Sequence, residues 1–541
     1  RLYRRTLSPT LPKFLLSTQK QRISISTTFS FSTMPGIITQ PSTLSVPHDP
    51  SELPPGSDPF LITAQNGYLP TQLPLRRLPK AFDALSDILD DMPILKEDGT
   101  AGLLATFKLG PLIDSGALPD LTHEIDNLVV EGGGVDMAAI TAAFRDYSFV
   151  ASSYLLEPCW QVYSNNADDG YGLGRQVLPK CIAGPLVKCA EILDIPAFMS
   201  YAASYALYNY YLVDPSKGHD DYSNIRLIRA FEKGLDPKSS EAGFILTHIH
   251  MVAQTGKLIE GAAGVVEAID AARSDKKDDH AIPDAKVGLQ SILQAMTVIE
   301  ANMEKMWANS LPKDYMTYRT FIYGITNQSM FPDGVVYEGQ YDDKPQFFRG
   351  ESGANDSIIP LLDHVCEIPM PENPLTQILR EFRQYRPKPH REFLTTIREK
   401  AADVGVRDFL TNSGDLSLVV LYLRVLDHIR SFRWRHWQFT REYIIKRTSH
   451  PVATGGSPII TWLPNQLSAV MQLMEDVCKG SGLWAVLAEG VWSGGGAAAS
   501  LTKKEFELIK DIMDNAVDQK EKLAKEVAKY CQDRGVDASK V

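Results

Sequence analysis

One run of residues limits the fold of this chain more than any other. Leu421, Val425, Ile429, Phe432, His436, Phe439 and Tyr443 recur at steps of four, four, three, four, three and four. That spacing puts all seven on one face of an α-helix. At the rise of an α-helix the stripe is roughly 33 Å long. An apolar face of that length has to be covered by other elements, so the chain needs a large, mostly helical body around it.

The rest of the sequence agrees. Helical periodicity is clear in Phe82–Leu89 and in Ile140–Tyr154, and the glycines at 132–134 punctuate this region. Ile195–Tyr211 carries five tyrosines among small residues, and KGLDPKSSEAG after it is a candidate domain link. Phe244, His248, Met251 and Leu258 fall near one helical face, and Val287–Ala308 repeats the pattern. A long segment, FPDGVVYEGQYDDKPQFFRGESGANDS, is rich in Gly, Pro and Asp, and loops of that length are often functional. Helices resume from Asp363, through Asp415, to about Arg447, and Thr502–Tyr530 reads as a charged, solvated helix. Strand alternation is scarce, so the expected class is mainly α.

Charge and cysteine narrow the function. The net charge of −11 gives no general reason to bind nucleic acid or an anionic membrane. No run of about 18 apolar residues predicts a membrane span. The six cysteines are scattered without CxxC or zinc spacing, which reads as free thiols in a reducing compartment. Residues 1–33 hold six Lys/Arg and no acid, the composition of a presequence, whereas the first methionine, Met34, opens a cytosolic-type start. The expectation is a cytoplasmic protein, with a mitochondrial one as the alternative if residues 1–33 are a real presequence. Walker A, HExxH and strand-linked GxGxxG motifs are missing, and GESGA at Gly350–Ala354 lacks the last glycine of a nucleophile elbow.

The stripe itself carries the chemistry. A histidine on an apolar face is more often a satisfied core residue than a ligand. Here Arg430, Arg433, Arg435 and Arg441 stand within two turns of His436. A haem needs an imidazole for its iron and cations for its two propionates. The ordinary reading of the arginines is a solvated crest with carboxylate partners such as Glu442.

Several further phrases stand in a fixed order. They are GFILTHIH from Gly243, YRTFIYG from Tyr318, DGVVYEG from Asp333, FRGESGANDS from Phe348 and FRQYRPKPHREFL from Phe382. VRDF from Val406, SGD from Ser413, IRSFRWRHWQFTREYI from Ile429 and ATGG from Ala453 follow. Over roughly Ile195–Gly456 the chain resembles the fungal-type indoleamine 2,3-dioxygenases, which are haem enzymes. The resemblance implies a two-domain helical fold with haem between a small N-terminal and a large C-terminal domain. The expected divisions are 1–56 as a disordered leader, 57–236 and 237–541.

The resemblance also implies roles. His436 corresponds to the proximal iron ligand, and Arg433 with Asp363 to a pair that holds a haem propionate. Ser352 and Gly353 correspond to the distal loop along the haem edge, with Ser352 also a candidate catalytic residue. Tyr201, Ser204 and Phe244 correspond to the indole pocket, Arg319 to the arginine that grips the substrate carboxylate, and Thr454 to a loop that closes over substrate. The sequence departs from the mammalian pattern in two places. His248 stands where a serine is usual and resembles the distal histidine of tryptophan 2,3-dioxygenase, so it is a candidate catalytic residue, iron ligand or core residue. Asp314 stands where an aromatic is usual, and Tyr315 is expected to supply that wall instead.

The implied reaction inserts both atoms of O₂ across the indole C2–C3 bond of L-tryptophan, giving N-formyl-L-kynurenine on the route towards NAD. Haem b would be held non-covalently, because no CxxCH is present. It would act in the ferrous state, which calls for an electron donor. The implied assembly is a monomer. A slow, tryptophan-sensing haem protein of the same fold is the alternative.

Overall fold

A computed structural model of the chain describes residues 44–130, 134–234, 236–274, 279–370, 374–450, 452–457, 459–495 and 500–535. Residues 1–43, most of the expected leader, lie outside the described residues, as do Gly132 and Gly133. The architecture is mainly helical, as the periodicity requires.

The first long helix, α1 (Met137–Asn165), starts at Asp136, whose carboxylate accepts the Ala139 N–H at 3.0 Å. It is buried almost continuously as far as Cys159, which suits its run of small and apolar residues. Helix α2 (Lys180–Leu193) lies against it. Next come α3 (Ser240–Val252), α4 (Thr255–Ser274) and α5 (Ala281–Glu304). Helices α4 and α5 pack backbone to backbone at Gly261 and Gly288. A Cβ on Gly261 would lie 2.7 Å from the Gly288 oxygen. The chain continues through α6 (Tyr315–Arg319), α7 (Ile358–Val365), α8 (Pro374–Phe382) and α9 (Lys388–Val404). The His436 helix is α10 (Leu416–Phe439), followed by α11 (Ile459–Gly480) and α12 (Lys503–Arg534). Short strands Val177–Leu178, Val335–Tyr337 and Pro345–Gln346 form a small sheet, with the first pair parallel and the second antiparallel.

Helix α10 begins where Asp415 accepts the Leu418 N–H at 3.1 Å and pairs with Lys286 of α5 at 2.6 Å. It packs on α5 and α11. Leu421, Val425 and Ile429 are buried against protein. One hydrophobic cluster draws residues from Leu44 to Ala516, and a second, of Trp434, Trp437, Leu467 and Val527 among others, fills the space where α10 to α12 meet.

Four local readings differ from the structure. The face Phe244–Leu258 is not one helix. Thr255 donates to the Val252 carbonyl and accepts the Tyr68 N–H at 2.9 Å. Gly256 lies so close to the Ala64 carbonyl that a Cβ would be 1.9 Å from it. This contact with a distant segment breaks the chain between α3 and α4. The α5 reading also shifts, since the helix spans Ala281–Glu304 rather than Val287–Ala308. The C-terminal helix is not merely solvated: Phe506, Ile509, Met513, Leu523 and Val527 are buried on one side. Residues 44–56, placed in the leader by composition, include buried Leu44, and Asp49 with Glu52 closes a capping box on the turn Pro50–Glu52. The six cysteines form no disulfide. Among the described residues no helix is long and apolar enough to cross a membrane.

Candidate active site

Past Ile429 the stripe of α10 meets a cavity instead of protein. Phe432, His436 and Phe439 are only half-buried in the chain, and they line a cavity of about 280 Å³. A π-helical turn, Thr440–Ile445, ends the helix and keeps Thr440, Tyr443 and Ile444 on the same wall. Insertions of this kind recur at functional sites. Phe244, His248 and Met251 of α3 also line the cavity, as does Tyr315 of α6. Residues 351–364 form a long lip with Arg383 and Arg386, and Ala453, Thr454 and Ser457 line it from the loop before α11.

His436 is the strongest feature of the lining. Among the described residues neither of its ring nitrogens has a hydrogen-bond partner. Burial, with His248 and the Arg433 guanidinium nearby, pulls its pKa down to about 4. The ring is therefore a neutral imidazole whose lone pair is available, the state a metal requires. His248 is also held below the usual histidine range by burial. One of its ring nitrogens, Nδ1, is 2.8 Å from the Phe244 carbonyl. If Nδ1 donates there, Nε2 is left as an acceptor. The His248 ring stands edge-on to Phe244 and Tyr201, with centroids 4.8 and 5.8 Å away.

The four arginines around His436 part company. Arg430 pairs with Asp427 and Gln519, Arg435 with Glu300 and Glu304, and Arg441 with Glu442 and Glu526. These three follow the ordinary reading. Only Arg433 reaches the cavity, where it donates to Asp363 at 2.7 Å and to the Gln466 carbonyl at 3.0 Å. Burial raises the Asp363 pKa against the pull of Arg433, and Asp363 Oδ1 has no partner.

Sequence reasoning gave no role to three further charged residues. Arg386 is buried, donates to the carbonyls of Ala354, Asn355 and Asp356, and has its pKa lowered to about 10 by burial and by Arg383. Arg383 has no side-chain hydrogen bond or ion pair among the described residues, and burial and its arginine neighbours lower its pKa. Their spacing of three resembles a helix face, but Arg386 precedes Pro387 and is extended, at φ −81° and ψ 149°. Glu351, 3% exposed, is the third. Burial pushes its pKa up to about 8, and Oε1 is unpaired.

The other candidates fall into two groups. Ser352, Gly353, Phe244, Tyr315 and Thr454 line the cavity. The Ser352 hydroxyl accepts the Ala354 N–H, and a Cβ on Gly353 would meet nothing within 4 Å. Thr454 donates to the Glu351 carbonyl at 2.7 Å, while Gln328 and Arg349 donate to the carbonyls of Ala453 and Gly455. Asp314, at the position where an aromatic was expected, accepts from Ser240 Oγ, and Tyr315 lines the cavity with its ring 5.8 Å from that of Phe244.

Tyr201, Ser204 and Arg319 are not in the lining. Tyr201 stands behind His248, and Ser204 is bonded within its own turn to Ser200. Arg319 is fully buried, donates to the Val452 carbonyl at 3.3 Å and lies over the Tyr323 ring at 4.8 Å. Its Nε and Nη1 have no hydrogen-bond partner.

These residues fit a haem. A free neutral imidazole, an unsatisfied carboxylate oxygen, an unpaired arginine and an open glycine all border one cavity. Among the described residues no group of three or more His, Cys, Asp or Glu could hold a bare metal ion. Iron on His436 would need its remaining ligands from a macrocycle.

Residues 57–478 match the family model described as indoleamine 2,3-dioxygenase. The chain belongs to that family. It is 28% identical over 406 residues to the indoleamine 2,3-dioxygenase of Saccharomyces cerevisiae, covering 71% of this chain and 79% of the yeast protein. It is 26% identical over 349 residues to indoleamine 2,3-dioxygenase 1 of Mus musculus, covering 64% and 78%. A 6-hydroxytryptophan 2,3-dioxygenase of Fusarium equiseti is 25% identical over 415 residues, covering 71% and 84%. The chain is thus an oxidoreductase of the dioxygenase type, in a haem-dependent family.

Proposed function

We propose that this protein cleaves the indole C2–C3 bond of L-tryptophan with O₂, giving N-formyl-L-kynurenine. The observation that carries the reading is His436, a neutral imidazole without a partner on a cavity wall that also holds His248. His436 would hold the iron of a non-covalent haem b, with Arg433, Asp363, Arg383 and Arg386 at its carboxylate edge and Ser352 and Gly353 along its rim. In its ferrous form that haem supplies oxygen binding and activation.

The chain's own residues do the rest. Phe244 and Tyr315 offer an apolar wall to the indole, with Tyr201 and Ser204 behind it. His248, with Nδ1 donating to the Phe244 carbonyl, offers Nε2 as an acceptor for the indole N–H. Arg319 is the cation for the substrate carboxylate, and Thr454 closes the cavity from the loop side. The reading includes a monomer, an electron donor that keeps iron ferrous, cytoplasmic placement and a role towards NAD.

The test uses the full chain, loaded with haem, reduced and incubated with L-tryptophan under ¹⁸O₂. Product carrying two labelled atoms supports the reading, and haem-bound protein that gives no product refutes it. His436→Ala should lose the Soret band. A second reading has its own observation, since His248 and His436 line the same cavity and both are neutral. Both could ligate iron in a tryptophan-sensing state, and a six-coordinate bis-histidine spectrum with slow turnover would mark it.

A further inference from the structure

The geometry points to Glu351 as the residue that receives the substrate's α-ammonium group, an inference that rests on the tryptophan reading above. Glu351 lines the cavity, yet its carboxyl has no hydrogen bond and no ion pair among the described residues. A buried carboxyl without a partner is costly and calls for a compensating group. Among the described residues nothing around it supplies one. The titratable groups coupled to it are the phenols of Tyr201, Tyr205 and Tyr315, all held neutral by burial. Among the described residues no charged side chain offsets it, and burial is the cause of its raised pKa.

A second imbalance lies close by along the chain. Arg319 is a buried guanidinium with no carboxylate partner among the described residues, and it donates to the Val452 carbonyl. Two residues further on, Thr454 donates to the Glu351 carbonyl. The segment 452–454 is therefore touched by the Arg319 guanidinium and by the main chain of Glu351. An α-amino acid carries the opposite charges on two groups attached to one carbon. A zwitterionic head brings an ammonium that pairs with the Glu351 carboxyl in the cavity wall, where an indole carboxylate without an ammonium leaves that carboxyl alone.

The binding step moves one proton. Before ligand enters, the Glu351 carboxyl is protonated at neutral pH. To pair with an ammonium it ionises, and its proton leaves to solvent.

The experiment measures binding by calorimetry to the haem-loaded full chain, at pH 7 in two buffers of different ionisation enthalpy. The probes are L-tryptophan and indole-3-propionate, which keeps ring and carboxylate but lacks the ammonium. Wild type should release about one proton with L-tryptophan and none with indole-3-propionate. Loss of a charge-assisted hydrogen bond corresponds to about tenfold in affinity or more. Glu351→Gln should therefore weaken L-tryptophan by at least about tenfold and leave indole-3-propionate within about twofold. Equal weakening of both probes, an unchanged L-tryptophan affinity, or no proton release would overturn the assignment. If wild type binds neither probe, the tryptophan reading falls and this one with it. If both bind and the variant does not distinguish them, only this one falls. Should the variant fail to fold, proton release by wild type decides alone.

Discussion

Replacing Gly350 by alanine should loosen the closed loop over the cavity without touching any side chain of the site. A Cβ at residue 350 would lie 2.2 Å from the Gly324 nitrogen, 2.5 Å from the Thr454 oxygen and 2.6 Å from the Ile322 oxygen. All three are backbone atoms, so no rotamer change relieves the clash. The Gly324 N–H donates to that Thr454 oxygen at 2.9 Å, and the same junction carries Glu351 and Ser352. Overpacking typically costs about 1–3 kcal/mol, and the lost hydrogen bond adds about 1 kcal/mol, so the junction should lose roughly 2–4 kcal/mol. That loss falls on local opening, which hydrogen exchange reads directly. The Gly324 amide should exchange roughly 30- to 1,000-fold faster, at about 1.4 kcal/mol per factor of ten. The Gly456 amide, bonded to the Ala453 carbonyl, should follow it. KM for L-tryptophan should rise with the exchange rate. If the Gly324 amide keeps its wild-type protection to within about threefold, and KM is unchanged, the three-way backbone contact does not hold Thr454 in place and the reasoning fails.

Gly353→Ala is the matching control: open space surrounds the new Cβ, so haem-free stability should stay within about 0.5 kcal/mol. If the haem edge runs along Gly353, haem affinity should nonetheless drop, measured by titration of the Soret band. Asp363→Ala strips the carboxylate from buried Arg433, a loss of about 3–5 kcal/mol for a buried pair. The Gln466 carbonyl still accepts from Arg433, and Asp363 no longer suffers its own burial, so the expected loss is nearer 2–3 kcal/mol. An unshifted denaturant midpoint would deny the pair any structural role. Glu351 gives a pH signature. Its pKa rises on folding from 4.5 to about 8, so the folded state binds the extra proton and loses stability as pH climbs through that window. Glu351→Gln should remove that component. Parallel pH–stability curves for variant and wild type between about 4.5 and 8 would contradict the burial of the free carboxyl.

Helix α10 was legible because its signal is local: a period of three to four over 23 residues survives whatever packs against it. The same reasoning could not separate Arg433 from Arg430, Arg435 and Arg441. All four are alike in sequence, and their fates are set by Glu300, Glu304, Gln519 and Glu526, some 85 to 135 positions away. The break after Val252 was invisible for a similar reason, since Tyr68 and Ala64 cause it from the far end of the chain.

Burial is the quantity that sequence hides most completely, and in this site burial decides the chemistry. Glu351 is an unremarkable acid in a Gly-rich run until Thr454 docks on its carbonyl and the cavity wall closes around it. Arg383 and Arg386 carry no signal in the sequence, and Arg386 takes its place only where the chain extends before Pro387 beside residues 354–356. His436 differs from the core histidine His390, whose Nε2 is also without a hydrogen-bond partner among the described residues, by lining the cavity. His390 is packed between the rings of Phe60 and Tyr68, whereas His436 faces the cavity together with His248. The local pattern located the residue, and the long-range packing of α3, α10 and the 351–364 lip is what leaves it facing a cavity.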